Sequence, residues 1–497
     1  MDPIWQREAS KGIVRKMRHR IAVVCAAAAL LGAPAAAQQP SYGGSPSGRQ
    51  MTTSGQQAPA APQSSPFLGS VPPKGEVTSQ PVPLSLKDAV ERALQHNLGL
   101  LLQEQTSEIA KSERWRALSG LLPNLSANLN GTRQIINLQA YGFPANPPLV
   151  GPFNVFDARV SVSKQVIDLA AINDARAASY DVKAAQYGVK DARDLVVLVS
   201  VNLYLEAVAA SSRVESTRAQ LDTAKALLQQ AQDLKANGLV AGIDVLRSQV
   251  QVQVQQQRAI AADNEYQKSL LQLARAIGIP VAQPLTLTDR IPYAPTPDLT
   301  LEDALQRAYT TRPDYLAAEN RLHAAEAEAR AASAAFLPTF HVDANYGVMG
   351  QTPADALRTY ALIANVKVPL FDAGSTRARR IQQTALLRQR EAEFSDFKGR
   401  VEYEVRSAFL DVKAAQEQLE AARTNQDLAT QELQQARDRF AAGVASNLEV
   451  TQAQETVAAA SETYIAALYT HNLAKATLAR SLGVTESAVM TYLGGKQ

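Results

Sequence analysis

Two stretches of this chain, 169–237 and 375–442, contain no proline, and as helices rising 1.5 Å per residue each spans roughly 100 Å. Rods of that length exceed any ordinary globular core and must pack along their sides. Each runs into a short glycine-bearing segment. Ala236 to Val245 reads Ala-Asn-Gly-Leu-Val-Ala-Gly-Ile-Asp-Val, and 441–450 repeats the pattern around Gly443. Gly238 and Gly242 admit the positive φ that ends a helix, Asp244 suits the start of the next, and the segment is too short for a domain linker. The chain therefore doubles back at 236–245 and at 441–450, as two helical hairpins with return helices over 244–277 and 448–482. Leu221, Ala224, Leu228 and Ala231 going in, and Ile243, Leu246 and Val250 coming out, recur at three-and-four spacing and predict the first hairpin's seam. Leu433, Ala436 and Phe440, then Leu448, Glu449 and Val450, frame the second.

Two hairpins imply an internal repeat, and the rest of the sequence carries it. Leu86-Lys-Asp-Ala-Val-Glu-Arg-Ala returns as Leu301-Glu-Asp-Ala-Leu-Gln-Arg-Ala, and Leu122-Pro123 as Leu337-Pro338, both 215 residues on. Past the strands the offset is 205: Tyr204-Leu-Glu becomes Phe409-Leu-Asp, Gly238 becomes Gly443, and Leu273-Ala-Arg-Ala-Ile-Gly becomes Leu478-Ala-Arg-Ser-Leu-Gly. A period this long is no solenoid; it makes two halves of one architecture, 84–280 and 300–485. A proline-rich crossover strap, 281–299, joins them, and 486–497 forms a C-terminal tail.

Between the first helix of each half, 85–122 and 300–337, and its long helix, the period changes. Leu125, Ala127 and Leu129 alternate with Asn124, Ser126, Asn128 and Asn130, and Val160 and Val162 with Arg159, Ser161 and Ser163. The second half repeats this with Phe340, Val342, Ala344, Tyr346 and Val348, then Tyr360, Leu362, Ala364, Val366 and Val368. The hairpins fall at 124–167 and 339–369, around a long loop (134–156) and a short one (350–357), with strands of about nine residues, the length that crosses a tilted bilayer span. Four strands with two free edges cannot span hydrocarbon alone, so other copies of the chain must close them into a barrel. The alternative is a small soluble sheet with one face on a helix layer.

Composition enters at the ends of the chain and in the chemistry. Lys11, Arg15, Lys16, Arg18 and Arg20, an apolar run 21–31 and Ala35-Ala-Ala37 read as a signal peptide over 1–37, with Met17 as an alternative start. The lone cysteine, Cys25, lies inside it and can form no disulfide within the chain; lipidation there is the rival reading. Residues 38–83, rich in Pro, Ser, Gln and Gly, read as a flexible arm. A net charge of +3 with both signs mixed gives no polyanion footprint, which argues against nucleic acid as a partner. The five histidines lack metal-ligand spacing, and no phosphate loop or nucleophile elbow occurs, so neither a catalytic residue nor a cofactor is expected.

Thr311-Arg-Pro-Asp314, the Leu-Pro pairs before the strands, Val368-Pro-Leu-Phe-Asp-Ala-Gly374 and both tips together make the chain, over 84–485, resemble the TolC-like outer-membrane efflux proteins. The resemblance implies a mostly α fold with a β-barrel. Three chains would build twelve strands in the outer membrane, continued by a coiled-coil tunnel in the periplasm. It implies a homotrimer that docks through its tips on a periplasmic adaptor and an inner-membrane transporter, as the exit duct of a tripartite export system. By the same resemblance, Glu449 and Gln452 match the pore constriction, where the family has two aspartates. Gly238, Leu239, Val240, Gly443, Val444 and Ala445 match the adaptor contact, and Asp244 and Phe440 the inter-helix latch. The latch tyrosine and arginine are replaced by Phe440 and Ala445, so a less firmly closed aperture is expected. The expected cargo is small toxic compounds or drugs; the alternatives are a secretion duct for protein or polysaccharide and a soluble periplasmic coiled-coil scaffold.

Overall fold

The computed structural model describes residues 65–73, 79–144, 146–238, 240–289, 299–442 and 444–493. They belong to one compact unit, 63–497; the unit formed by 1–62, with the expected signal peptide and Cys25, lies outside the described residues, as do Leu239 and Gly443.

Both rods form. Helix α3, Leu169–Ala236, starts where Asp168 accepts the Ala171 N–H at 2.9 Å, and ends before Gly238 at φ +73°. Helix α7, Ser375–Ala441, is its counterpart. The return helices are α4, Gly242–Ile277, and α8, Asn447–Ser481. Gly242 is thus the first residue of α4 and does not help to end α3, and Asp244 lies within the first turn. The helices preceding the strands are each broken in two. Asn97 separates α1, Leu86–His96, from α2, Leu98–Ser119: its side-chain oxygen accepts from Gly99 N–H at 2.9 Å, while its amide donates to the Phe67 carbonyl at 2.7 Å. In the second half Pro313 opens a new helix, so α5, Leu301–Thr311, and α6, Pro313–Ala334, divide at Arg312.

The helices form four side-by-side columns. Helices α2 and α4 flank α3 on one side, α6 and α8 flank it on the other, and α7 lies beyond α6 and α8. Short helices stacked end to end match one long one. Alanine allows the close approach: Ala324, Ala327 and Ala331 of α6 and Ala408, Ala415 and Ala422 of α7 are buried. The stripe Ile243, Leu246 and Val250 is exposed, contrary to expectation, and α4 instead buries Ser248, Gln251, Val252 and Gln255. An edge column packs inward, here against α3 and α8, and leaves its other side open. In α3, Leu227 takes the buried place expected of Leu228.

The largest core gathers Leu84, Val197, Val201, Leu205, Leu273 and Ile277. The strap contributes to it: β4, Leu285–Leu287, pairs in parallel with β1, Val82–Leu84, and Asp289 accepts from the Leu86 N–H at 2.7 Å and the Tyr204 hydroxyl at 2.9 Å. Part of the expected arm is therefore ordered. Phe67 lies so close to Gly99 that a Cβ there would stand 2.5 Å from its ring. The expected tail is helix α9, Thr485–Tyr492, which packs on α8 and α3.

The strands are longer than nine residues: β2, Asn124–Asn137; β3, Leu149–Ile167; β5, Thr339–Gly350; and β6, Leu357–Lys367. Pairing runs well into the segment expected as a loop, leaving a 3₁₀ turn at Leu138–Tyr141. Their order is β2-β3-β5-β6, antiparallel throughout, with β2 and β6 at the edges.

Candidate functional site: the sheet faces and the hairpin tips

Register decides what the sheet can face. Leu125 pairs with Val162, Val162 with Ala344, and Ala344 with Leu362; the next row runs Ala127, Val160, Tyr346, Tyr360. The apolar alternation of all four strands thus falls on one face. Among the described residues no helix packs across it, and Leu362 and Tyr360 are 74% and 82% exposed. A small soluble sheet would have a helix layer there. The other face carries Asn128, Arg159 and Thr359 in one row, with an Arg159–Asp157 ion pair at 2.6 Å. Ser163, His341 and Asp343 also meet on it, but the hydroxyl at 3.1 Å and the carboxylate at 3.6 Å both address the histidine's Nε2. A nucleophile relay needs the two ring nitrogens to serve different partners, so this is a lining contact.

At the tips, Phe440 is buried with Leu227, Leu433, Ala436, Val450 and Ala453, and Val240 packs against them. Gly238 and Val444 are exposed and Ala445 is half-buried, so the candidate adaptor-contact residues that are described lie at or near the surface. Asp244 pairs with Arg247 at 3.4 Å, and Phe440 fills the tip core; within one chain they form no latch with each other. Glu449 pairs with Arg439 across the second hairpin at 3.1 Å, and Gln452, one turn on, is exposed.

Sequence reasoning missed the residues that tie the hairpins together. The buried Asn447 donates to the Asp244 carbonyl at 2.9 Å and to Ser248 Oγ at 2.8 Å. Two turns further, Glu455 accepts from Gln251 at 2.8 Å and from Arg258 at 2.9 Å. The only signal was Asn447 at a helix start, where a polar residue reads as a cap. At the other end of α8, Arg312 of the Thr311–Asp314 motif is 4% exposed, and its fork meets Asp314 at 2.7 and 3.1 Å and Glu404 at 2.7 Å. Nearby, Arg480 pairs with Asp191, and Arg193 Nε donates to Glu486 of α9 at 2.8 Å.

Among the described residues no group of three or more His, Cys, Asp or Glu is arranged to hold a metal. Among the described residues one helix, α3, is long and apolar enough to cross a membrane, but more than half of its most apolar stretch is buried in the protein; Val196, Val201 and Leu205 of α3 lie in the core. An open groove of about 390 Å³ between α3, α4 and α8 is crossed by Arg213, Arg258, Glu455 and Glu462, and a wider one of about 640 Å³ lies between α7 and α8.

A sheet with an uncovered apolar face, carried on a layer of paired rods, defines an outer-membrane channel subunit whose helices continue into the periplasm. Comparison with known proteins agrees. Residues 304–484 match the sequence model of the outer membrane efflux proteins. The chain is 27% identical to the pyoverdine export outer membrane protein OpmQ of Pseudomonas aeruginosa over 80% of its own length and 85% of that protein's. It is 26% identical to the toluene efflux pump outer membrane protein TtgC of Pseudomonas putida, over 80% and 83%. The structure superposes on the CmeC outer membrane channel of Campylobacter jejuni with a TM-score of 0.72 at 17% identity, covering 88% of this chain and 97% of that one. Residues 304–484 thus carry an outer membrane efflux protein domain, and the chain as a whole is similar in sequence and fold to the outer-membrane channels of efflux and export systems.

Proposed function

We propose that three copies of the chain close into one duct that passes small toxic compounds or drugs out of the cell, fed by an inner-membrane transporter through a periplasmic adaptor. One observation carries the reading: the sheet has a bare apolar face, which water disfavours and hydrocarbon accepts, and two unpaired edges, which hydrocarbon tolerates only if β6 of one copy pairs with β2 of the next. The helices agree. Exposed apolar residues line the two outer columns, Leu102 and Ile109 on α2 and Leu246 on α4 against Tyr403, Leu410 and Leu428 on α7, where such a ring would bring neighbours together. In it the tips would meet the adaptor, and Glu449 would ring the aperture with Arg439 partly neutralising it.

Relatives named for small-molecule export, OpmQ and TtgC, support this cargo. Membrane fractionation followed by size-exclusion chromatography with light scattering on unheated protein tests the assembly; the expected species is an outer-membrane particle of three chain masses, and a soluble monomer overturns it. Deleting the gene tests the cargo. Heightened susceptibility to small toxic compounds with protein secretion unchanged is expected, and the reverse pattern identifies a secretion duct.

A further inference from the structure

We propose that the rim where the sheet meets the helices is a binding collar for anionic phospholipid, in which exposed apolar side chains enter the bilayer interface and adjacent arginines hold lipid phosphates. The proposal rests on the reading of the strands as a barrel wall.

All four strands meet their helices at the same end: β2 begins after α2, β3 ends before α3, β5 begins after α6, and β6 ends before α7. At that end Leu370 and Phe371 are 91% and 90% exposed, and Leu122 and Ile167 are exposed beside the strands they adjoin. The apolar band therefore continues past the last strand pairs. Trp115 stands four residues before the end of α2, about 6 Å along the axis. It is 66% exposed and flanked by the exposed Arg114 and Arg116. Six residues beyond Ile109, it lies about 120° round the helix from the Leu102–Ile109 stripe, so the seam between copies does not account for it.

The basic groups share this level. Arg377, Arg379 and Arg380 are exposed in the first two turns of α7, whose first turn carries no acidic residue. Cations there oppose the helix dipole and gain nothing for the helix itself. Arg379 reaches Asp174 only at 3.8 Å, and Arg114 Nε donates to Ser179 at 3.2 Å. Lys164 pairs in register with Val342 on the apolar face of β3, at the helical end, where a long side chain can lift its ammonium to the interface. Tryptophan and basic side chains within about 10 Å of a hydrocarbon boundary match a headgroup layer, and phosphate is the anion arginine forks favour. The competing occupant is a second copy of the chain.

Trp5 and Trp115 are the two tryptophans of the sequence and Trp5 lies in the expected signal peptide, so the exported chain made from a Trp5→Phe precursor carries one reporter at the collar whether or not the peptide is removed. In proteoliposomes of phosphatidylcholine and phosphatidylglycerol, its fluorescence is expected to be quenched by bromine near the headgroup more than by bromine deep in the acyl chain. A chain with Tyr360→Trp and both native tryptophans changed to Phe should show the opposite depth. Brominated phosphatidylglycerol is expected to quench Trp115 with about fivefold preference over brominated phosphatidylcholine, falling to near unity with Arg377→Gln, Arg379→Gln and Arg380→Gln together. If Tyr360→Trp goes unquenched, barrel and collar fall together. If it is quenched and Trp115 is not, the barrel stands and a neighbouring copy covers the collar. Quenching of Trp115 without lipid preference overturns the anionic assignment.

Discussion

Arg312 brings a charge into an almost dry junction, and its two carboxylate partners make that tolerable. Replacing it with Gln leaves the half-buried Asp314 without its fork, and a loss of about 3–5 kcal/mol in folding stability is expected, read as a lowered midpoint in denaturant. Burial pushes the Asp314 carboxyl up, but the hydrogen bonds and charge of Arg312 outweigh it and hold the group below its usual range. A carboxyl depressed in the folded state stabilises above its unfolded pKa and loses that contribution as pH falls through the folded value. Below about pH 4 the wild type should therefore converge on Arg312→Gln in a pH series of thermal melts. Lys475 works the other way. Burial lowers it to about 8 from 10.5, so the cost of its charge is full below pH 8 and fades toward 10.5. Lys475→Met should melt higher than wild type at pH 7, with the gap closing as the buffer reaches pH 10.5. None of this pairing was legible in the sequence. Arg312 and Asp314 were visible as a motif, but Glu404, 92 residues away, is brought in only by the packing of α7.

At the scale of elements, the rods, tips and strands were read from proline absence, glycine placement and period. What the reading missed has local causes. Asn97 and Pro313 break the first helix of each half because each ends the backbone ladder, one with a side-chain cap and the other with a missing N–H. Strands β2 and β3 outran nine residues because their pairing continues through the proline-bearing stretch of β3, with Val155 opposite Thr132 and Leu149 opposite Asn137. The tie between hairpins is the element-scale feature most open to test. Asn447→Ala removes the two hydrogen bonds that its amide donates to the Asp244 carbonyl and Ser248 Oγ, at a cost of about 1–3 kcal/mol. Faster amide hydrogen exchange over 244–258 is expected, with exchange in the core around Val201 unchanged. Uniform acceleration would mean that Asn447 serves global stability and not the tie.

For the molecule as a whole, the two exposed apolar surfaces should respond independently. Leu362→Arg places a charge on the outward face near mid-band, where about 2–4 kcal/mol is lost in a bilayer. It should reduce the outer-membrane species of three chain masses without unfolding the helices, as judged by circular dichroism of the extracted protein. Leu410→Glu on α7 should leave the strands intact and weaken assembly, seen as a shift to lower mass by light scattering in detergent.

The sequence by itself determined the two-repeat plan, the paired rods and the alternation of the strands, because helix and strand periods, proline and glycine act over a few residues. Only the tertiary structure decided which stripe of α4 is buried, which residues hold the tips together, and that no helix covers the sheet. Those outcomes depend on neighbours some two hundred residues away, such as Asn447 reaching Ser248, and local pattern does not encode which of a helix's two sides will find a partner.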